Sequence, residues 1–556
     1  MMRRYILGWL AVLAWALGAC APPPMAPASP STPAADAETE PSPSPVQVLR
    51  LRGGNFGYPS PYGFFRGPGY TRMSFLFDTL IWKDASGEFI PWLATAWEVD
   101  PQGLLWTFTL REGVTWQDGT PFRAEDVVFT FTYFAENPHP SFPLFGQAEV
   151  VEAVDAVDER TVQIRLARPY APFLARMVSV VPILPKHIWE KVADPVQFRD
   201  EAALVGTGPY RLVSYDQAEG AYLYEANEDF WAGVPCVRRI ELIPVSEPPL
   251  ALREGQIHAY SSVVRVLPRE VVAAFEEDPR FRVLAAPGEW NLVLYFNLAR
   301  GEPFQSRQFR QAVAHALDLQ TMVDQVLLGD GLPGTPGWLP PANPWHNPDV
   351  QPYPYDPERA NRLLDEAGYV DRDGDGVREL SDGRPLRLEL LFGNWFSPRP
   401  AEMIQRWLAD VGIQVVLQSV DRTTSDQRTA QGQYEMALVG HGGLGGDPSF
   451  MERVFSSRSR SRGFNRVHGY ANPRFDELAA QQNVTVDPEL RRRMVYEMQE
   501  ILAQDVPVIP LYYPNRRHIF NAQVLDAWYF TPGGYGGGIP MAWNKHLFVT
   551  CRQTGM

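Results

Sequence analysis

The apolar positions of residues 104–131, LLWTFTLREGVTWQDGTPFRAEDVVFTF, change period within one short stretch. Leu105, Thr107 and Thr109 alternate with Trp106, Phe108 and Leu110, the two-residue period of a half-buried strand. Trp116-Gln117-Asp118-Gly119 then reads as a turn, with Asp118-Gly119 supplying a positive-φ position. From Thr120 the spacing lengthens, and Val127, Val128 and Phe131 fall on one face of a predicted helix. Alternation also marks a strand at 46–51 and two runs across 150–166, and the apolar run LVLYFN at 292–297 predicts a compact strand. Helical spacing returns over 304–318, where Phe309, Ala312, Val313, Ala316 and Leu317 share a face. After Asp356, a fair N-cap, Pro357 takes the first helical position and Gly368 ends the helix. A helix at 487–504 and the segment Pro507-Val508-Ile509-Pro510-Leu511-Tyr512-Tyr513 complete the pattern. The fold class is α/β.

Length and charge narrow this picture. A chain of 556 residues exceeds one simple core and implies two or three domains. The formal charge of −15 argues against a nucleic-acid partner, which needs a basic surface. The 16 Trp and 22 Tyr suffice to line a wet cavity, although most such residues serve cores. At the N-terminus Arg3 and Arg4 precede an apolar run, 6–17, too short for a stable membrane span. Residues 21–46 are Pro/Ala/Ser/acidic and lack a hydrophobic period, so they predict a semi-stiff tether.

The wording of several segments adds what periodicity lacks. LREGVTWQDGTPFRAEDVVFTF closely resembles the signature of the family 5 extracellular solute-binding proteins, the receptor subunits of oligopeptide, dipeptide and nickel ABC importers. Four further strings resemble that family in the same order. They are Gly206-Thr207-Gly208-Pro209-Tyr210, the crossover helix within 295–331 (FN…RQAVAHALD…G), the helix opened by Tyr355-Asp356-Pro357-Glu358, and GYANPRFDELAAQQ with the closing helix and PVIPLYY. The resemblance implies a two-lobed periplasmic-binding-protein fold of class II, cluster C, with an extra subdomain and a ligand cleft between lobes. It places the signal peptide at 1–19 and a lipidated Cys20 with its tether at 20–46, since Leu17-Gly18-Ala19-Cys20 resembles a lipobox. Cleavage there would remove Arg3 and Arg4 and move the charge from −15 to about −17. Lobe I is expected from 47–82, 207–293 and 509–552, its subdomain from 83–206, and lobe II from 294–508.

By the same resemblance the chain captures a small solute by lobe closure, because only the closed form touches the ligand on both sides. Permease and ATPase subunits are the expected partners, with the membrane reached through the lipid; no nucleic acid, no catalysis and no catalytic cofactor are expected, and the chain acts as a monomer. Candidate ligand-binding residues come from loops after strands: Asn55, Tyr58, Asn394, Trp395, His441, Leu444 and Asp447. Peptide-binding members hold the ligand's ammonium with an aspartate three residues before the Asp-Pro pair. Here that position is Leu444, which cannot balance a buried ammonium. Peptides come first by family frequency, then sugar oligomers, favoured by Trp395, then nickel chelates.

Other chemistries weigh less. Asp371, Asp373 and Asp375, with Gly376 at the sharp bend, a main-chain carbonyl at Val377 and Asp382 at position twelve, resemble a structural calcium loop. An ion-free loop held by Asx turns is the other reading. Gly440-His441-Gly442-Gly443-Leu444-Gly445 fits G-x-G-x-x-G but lacks the βαβ context and the distal acid of a dinucleotide site. No zinc spacing, nucleophile elbow or Walker A string occurs. Arg453, Arg458, Arg460, Arg462 and Arg466 read as a solvated loop, or as a surface meeting an anionic ligand or the permease. Cys236 and Cys551 can pair outside the cytoplasm, and two buried thiols are the alternative.

Overall fold

The computed structural model describes residues 43–139, 150–262, 267–395, 397–442, 444, 446–459, 466–535 and 542–553. The leader, Cys20 and most of the tether lie outside the described residues. The tether ends earlier than expected: Val46 is buried, bridges Val237 and donates its N–H to the Cys236 carbonyl at 3.0 Å.

Lobe I is built on a seven-stranded mixed sheet in the order Phe281–Ala286, Arg516–Asn521, Ala259–Ser262, Leu49–Arg52, Arg239–Ile243, Ala221–Ala226 and Tyr210–Asp216. Leu49–Arg52 runs parallel to both of its neighbours. The strand Leu105–Leu110 joins Ala94–Val99, Thr161–Leu166 and Val151–Ala156 in a separate antiparallel sheet, the subdomain. Its helix, Ala124–Glu136, starts after Thr120 because residues 120–123 stay extended; Pro121 bridges Thr115, and the Asp126 carboxylate accepts the Arg123 N–H at 2.9 Å. Val127 and Phe131 are buried, as the helical spacing predicts.

The Gly-Thr-Gly string has a physical reason. Gly206 and Gly208 lie against the backbone of Leu76, where an added Cβ would come within 1.9 Å and 2.5 Å of its carbonyl oxygen. Thr207 between them donates to Asp78 at 3.0 Å. Asp78 is the hub of lobe I, ion-paired with Lys545 at 2.6 Å with both side chains at 0% exposure, and it accepts the Trp92 and Trp231 indole N–H groups. The disulfide Cys236–Cys551, spanning 315 residues, closes the same lobe.

Lobe II is a six-stranded sheet in the order Gly331–Pro333, Val508–Pro514, Asn291–Phe296, Met436–His441, Arg387–Gly393 and Gln414–Val420. Every residue of Asn291–Phe296 and of Val508–Pro514 is buried, so both read as continuous apolar runs. This shifts two expected boundaries. Residues 291–293 and 509–514 belong to lobe II, and the chain crosses between lobes just before Asn291 and again at Asn515. The two crossings touch at Gly288, where a Cβ would meet the Pro514 carbonyl oxygen at 2.0 Å. Asn515 and Arg517 pin the return crossing to Asp330, with Arg517–Asp330 at 2.7 Å.

Candidate functional site

The parallel strands Arg387–Gly393 and Met436–His441 end side by side; the loops after them carry four of the seven predicted ligand-binding residues, and His441 is the last residue of the second strand. His441 is buried at the end of its strand, hydrogen-bonded to the Tyr295 hydroxyl and edge-on to Trp338 at 4.7 Å. Burial, helped by the nearby Arg453 charge, pushes its imidazole down to about 3, so it stays neutral. Leu444 is buried as well; its N–H donates to the Glu289 carbonyl at 3.0 Å, and its own carbonyl accepts from Asn343. Asp447 accepts both terminal guanidinium nitrogens of Arg491 at 2.8 Å and the Ser449 N–H at 2.9 Å. Burial alone would raise its pKa, but the Arg491 charge and these hydrogen bonds outweigh that and hold it below the usual carboxylate range. Both of its oxygens are thus bonded within the fold.

Asn394 is exposed, with its N–H on the Val420 carbonyl at 2.8 Å. Trp395 is half-buried, and the Arg422 guanidinium lies over its ring at 4.3 Å. Asn55 and Tyr58 occupy a lobe I loop. Asn55 accepts from the Tyr215 hydroxyl at 2.7 Å and orders the turn at Gly57, while Tyr58 packs beside Tyr215. The contacts of these two residues stay within lobe I, so they form a group apart from the lobe II loops.

Three features escape a reading of the sequence. Glu289, in the first crossing, is half-buried; one carboxylate oxygen accepts the Gly533 N–H at 3.1 Å, and the other is buried and makes no hydrogen bond among the described residues. Burial raises its pKa, and Arg516, that N–H and Lys83 offset part of the rise. Lys83, at the end of the strand Ile81–Lys83 in lobe I, is in turn pulled up by Glu289 and Asp447 against the burial that lowers it, so charges of the two lobes face each other here. Tyr170, from the subdomain, feels Arg176, Asp447, Glu452 and Arg491. The lobes meet directly where the Ala171 N–H donates to the Asn483 carbonyl at 2.7 Å. Finally, Arg453 stands on the helix Phe450–Phe455, half-buried with its guanidinium over the Phe450 ring at 4.9 Å, so it is not part of a solvated loop.

In the acidic loop, one oxygen from each of Asp371, Asp373 and Asp375 falls within a group spanning 4.8 Å. Asp371 accepts the N–H groups of Gly374 and Gly376, and Asp375 that of Val377. Asp382 is not in that group. It closes its own turn onto Arg384, at 2.7 Å, so the position-twelve ligand of the expected loop is absent.

Two α/β lobes joined by paired crossings, with neutral and charged side chains of both facing across the junction, define a solute-binding protein of the periplasmic type. The model of the family described as bacterial extracellular solute-binding proteins, family 5, matches residues 88–462, and the chain belongs to that family. It is 31% identical over 471 residues to Protein XP55 of Streptomyces lividans, covering 83% of this chain and 82% of that one. It is 29% identical over 475 residues to the dipeptide-binding protein of Escherichia coli (strain K12), covering 81% and 86%. The solved structure of the dipeptide binding protein from Pseudoalteromonas sp. SM9913 in complex with Met-Leu shares the fold, with a TM-score of 0.73 at 23% identity over 90% of this chain and 99% of that one. The chain is therefore an extracytoplasmic substrate-binding subunit of an ABC transporter and not an enzyme. Among the described residues no helix is long and apolar enough to cross a membrane.

Proposed function

We propose that the captured solute is a short peptide and that Glu289 holds its amino terminus. Leu444 occupies the position where the peptide-binding relatives are expected to carry an acid, and a buried ammonium without a counter-charge is strongly unfavourable. The observation that carries the reading is the Glu289 carboxylate. It lies in the segment whose backbone bonds Leu444, it is buried at the lobe junction, and one oxygen has no hydrogen bond among the described residues. The names of relatives that bind dipeptides support the same ligand class.

Thermal shift with the purified chain tests this, since a ligand that binds only the folded form raises Tm by mass action. Di- and tripeptides are expected to raise Tm, N-acetylated peptides to do so weakly, and Glu289→Gln to lose at least about tenfold in affinity for free-amino peptides only. A shift with sugar oligomers or nickel-histidine chelate, with peptides silent, would refute the peptide reading; a nickel-binding relative from Escherichia coli makes the chelate the natural control.

The same proposal includes a monomer tethered by lipid at Cys20, read from Leu17-Gly18-Ala19-Cys20. Cys20→Ser should release the protein from membranes, and sedimentation should give one chain. It also includes a structural calcium ion on Asp371, Asp373 and Asp375, supported by their grouped oxygens. Calcium should then raise Tm in the wild type and not in Asp373→Asn.

A further inference from the structure

Two arginines on opposite lobes lie near enough for the charge of one to act on the other. Arg176 lies in the short turn Leu174–Val178 after the subdomain sheet and is 8% exposed. Arg453 stands on the lobe II helix Phe450–Phe455; burial first, and then the Arg176 charge, lower it to about 10. The walls that carry them are in contact, because the Ala171 N–H bonds the Asn483 carbonyl and the Asn483 side chain bonds Glu452, next to Arg453. Among the described residues neither guanidinium has a carboxylate at ion-pair distance, and the Nε of each makes no hydrogen bond. The nearby acids are engaged elsewhere, Asp447 with Arg491 and Glu452 with Asn483. His441, whose imidazole also feels the Arg453 charge, is neutral, and its Nδ1 has no hydrogen bond among the described residues.

Two like charges brought together out of water, without a counter-ion, oppose the closure that joins them. A planar carboxylate between them reverses the sign, since a guanidinium donates two parallel hydrogen bonds to such a group. We propose that the cleft closes fully only around a solute that carries a carboxylate, held between Arg176 and Arg453 as a clamp with one jaw on each lobe. The clamp rests on the peptide reading and adds to it the group that the site demands. A free C-terminus and an acidic side chain both supply that group.

Calorimetry on the full chain with Met-Leu, Met-Leu amide and Met-Glu amide tests the clamp. Met-Leu should bind at least about tenfold more tightly than its amide. Recovery of affinity in Met-Glu amide would assign the clamp to either carboxylate, and no recovery would assign it to the C-terminus. Arg176→Gln and Arg453→Gln, checked for native circular dichroism, should erase the difference between acid and amide, and Arg453→Lys should keep part of it. Equal binding of acid and amide by the wild type, or a difference that survives in both variants, would overturn the clamp while leaving the peptide reading standing. If no peptide in any form binds, the peptide reading fails, and small-angle scattering then decides the clamp alone. The ligand-free double variant should have a smaller radius of gyration than the ligand-free wild type; equal radii would overturn the proposal.

Discussion

Buried charge is treated in opposite ways in two parts of this molecule. In the heart of lobe I, Asp78 and Lys545 are fully buried, 2.6 Å apart; the carboxylate also accepts from two indoles and a hydroxyl, and the ammonium bonds the Phe77 carbonyl and lies over the Trp82 ring. The base of the lobe II loop repeats this with Asp447 and Arg491, whose guanidinium also bonds Gln482. On the two lobe walls, the buried Arg176 and the half-buried Arg453 have no acid at ion-pair distance among the described residues, and Glu289 keeps one oxygen unbonded among them. The difference separates two jobs. A pair satisfied within one lobe fixes that lobe's shape, whereas a charge left unanswered at the junction is available to something that arrives later.

The largest effects should come from breaking the answered charges. Asp447→Asn or Arg491→Gln leaves one buried partner alone and should cost about 3–5 kcal/mol, read by urea unfolding. The pH dependence follows from the depressed pKa of Asp447. Its contribution is fully present above the ordinary carboxylate value, about 4, and is lost as pH falls through the lower folded value, because the unfolded chain then binds more protons. Glu289 has the reverse sign, since its folded pKa is raised. As pH climbs through the range above about 4, Glu289 withdraws stability, and Glu289→Gln should flatten that part of the profile. The disulfide tests lobe I by itself. Cys236→Ser with Cys551→Ser should lower stability by about 2–4 kcal/mol, because a closed loop of 315 residues restricts the unfolded chain. The smallest effect on stability, and a large one on affinity, is expected for Arg453→Gln.

Much of the fold was open to a reader of the sequence. The strand Leu105–Leu110 and the helices Arg307–Ala316 and Pro357–Glu366 follow from period two or period 3.6, and the buried crossing strand from a continuous apolar run, patterns that depend only on neighbours in the chain. Boundaries were less legible: Val508–Pro514 looks the same whichever lobe it joins, and only its pairing with Asn291–Phe296 assigns it. The site was least legible. Asp447, chosen as a ligand contact, is taken up by Arg491 from a helix 44 residues away, and Trp395 lies under Arg422. Arg453 reads as one of five arginines in a polar run, yet it stands on the helix Phe450–Phe455 with its guanidinium over the Phe450 ring. Glu289 precedes a strand and carries no motif; its importance arises from two crossings that meet at Gly288. Such residues are joined by tertiary structure, and no local pattern marks them.

The division between answered and unanswered charge is tested most directly by unfolding Arg453→Gln and Arg491→Gln side by side in urea without ligand, following tryptophan fluorescence. The account predicts that Arg491→Gln loses about 3–5 kcal/mol while Arg453→Gln stays at or above the wild type. A loss in Arg453→Gln as large as that in Arg491→Gln would show that Arg453 holds the fold together, and would contradict its assignment to the solute.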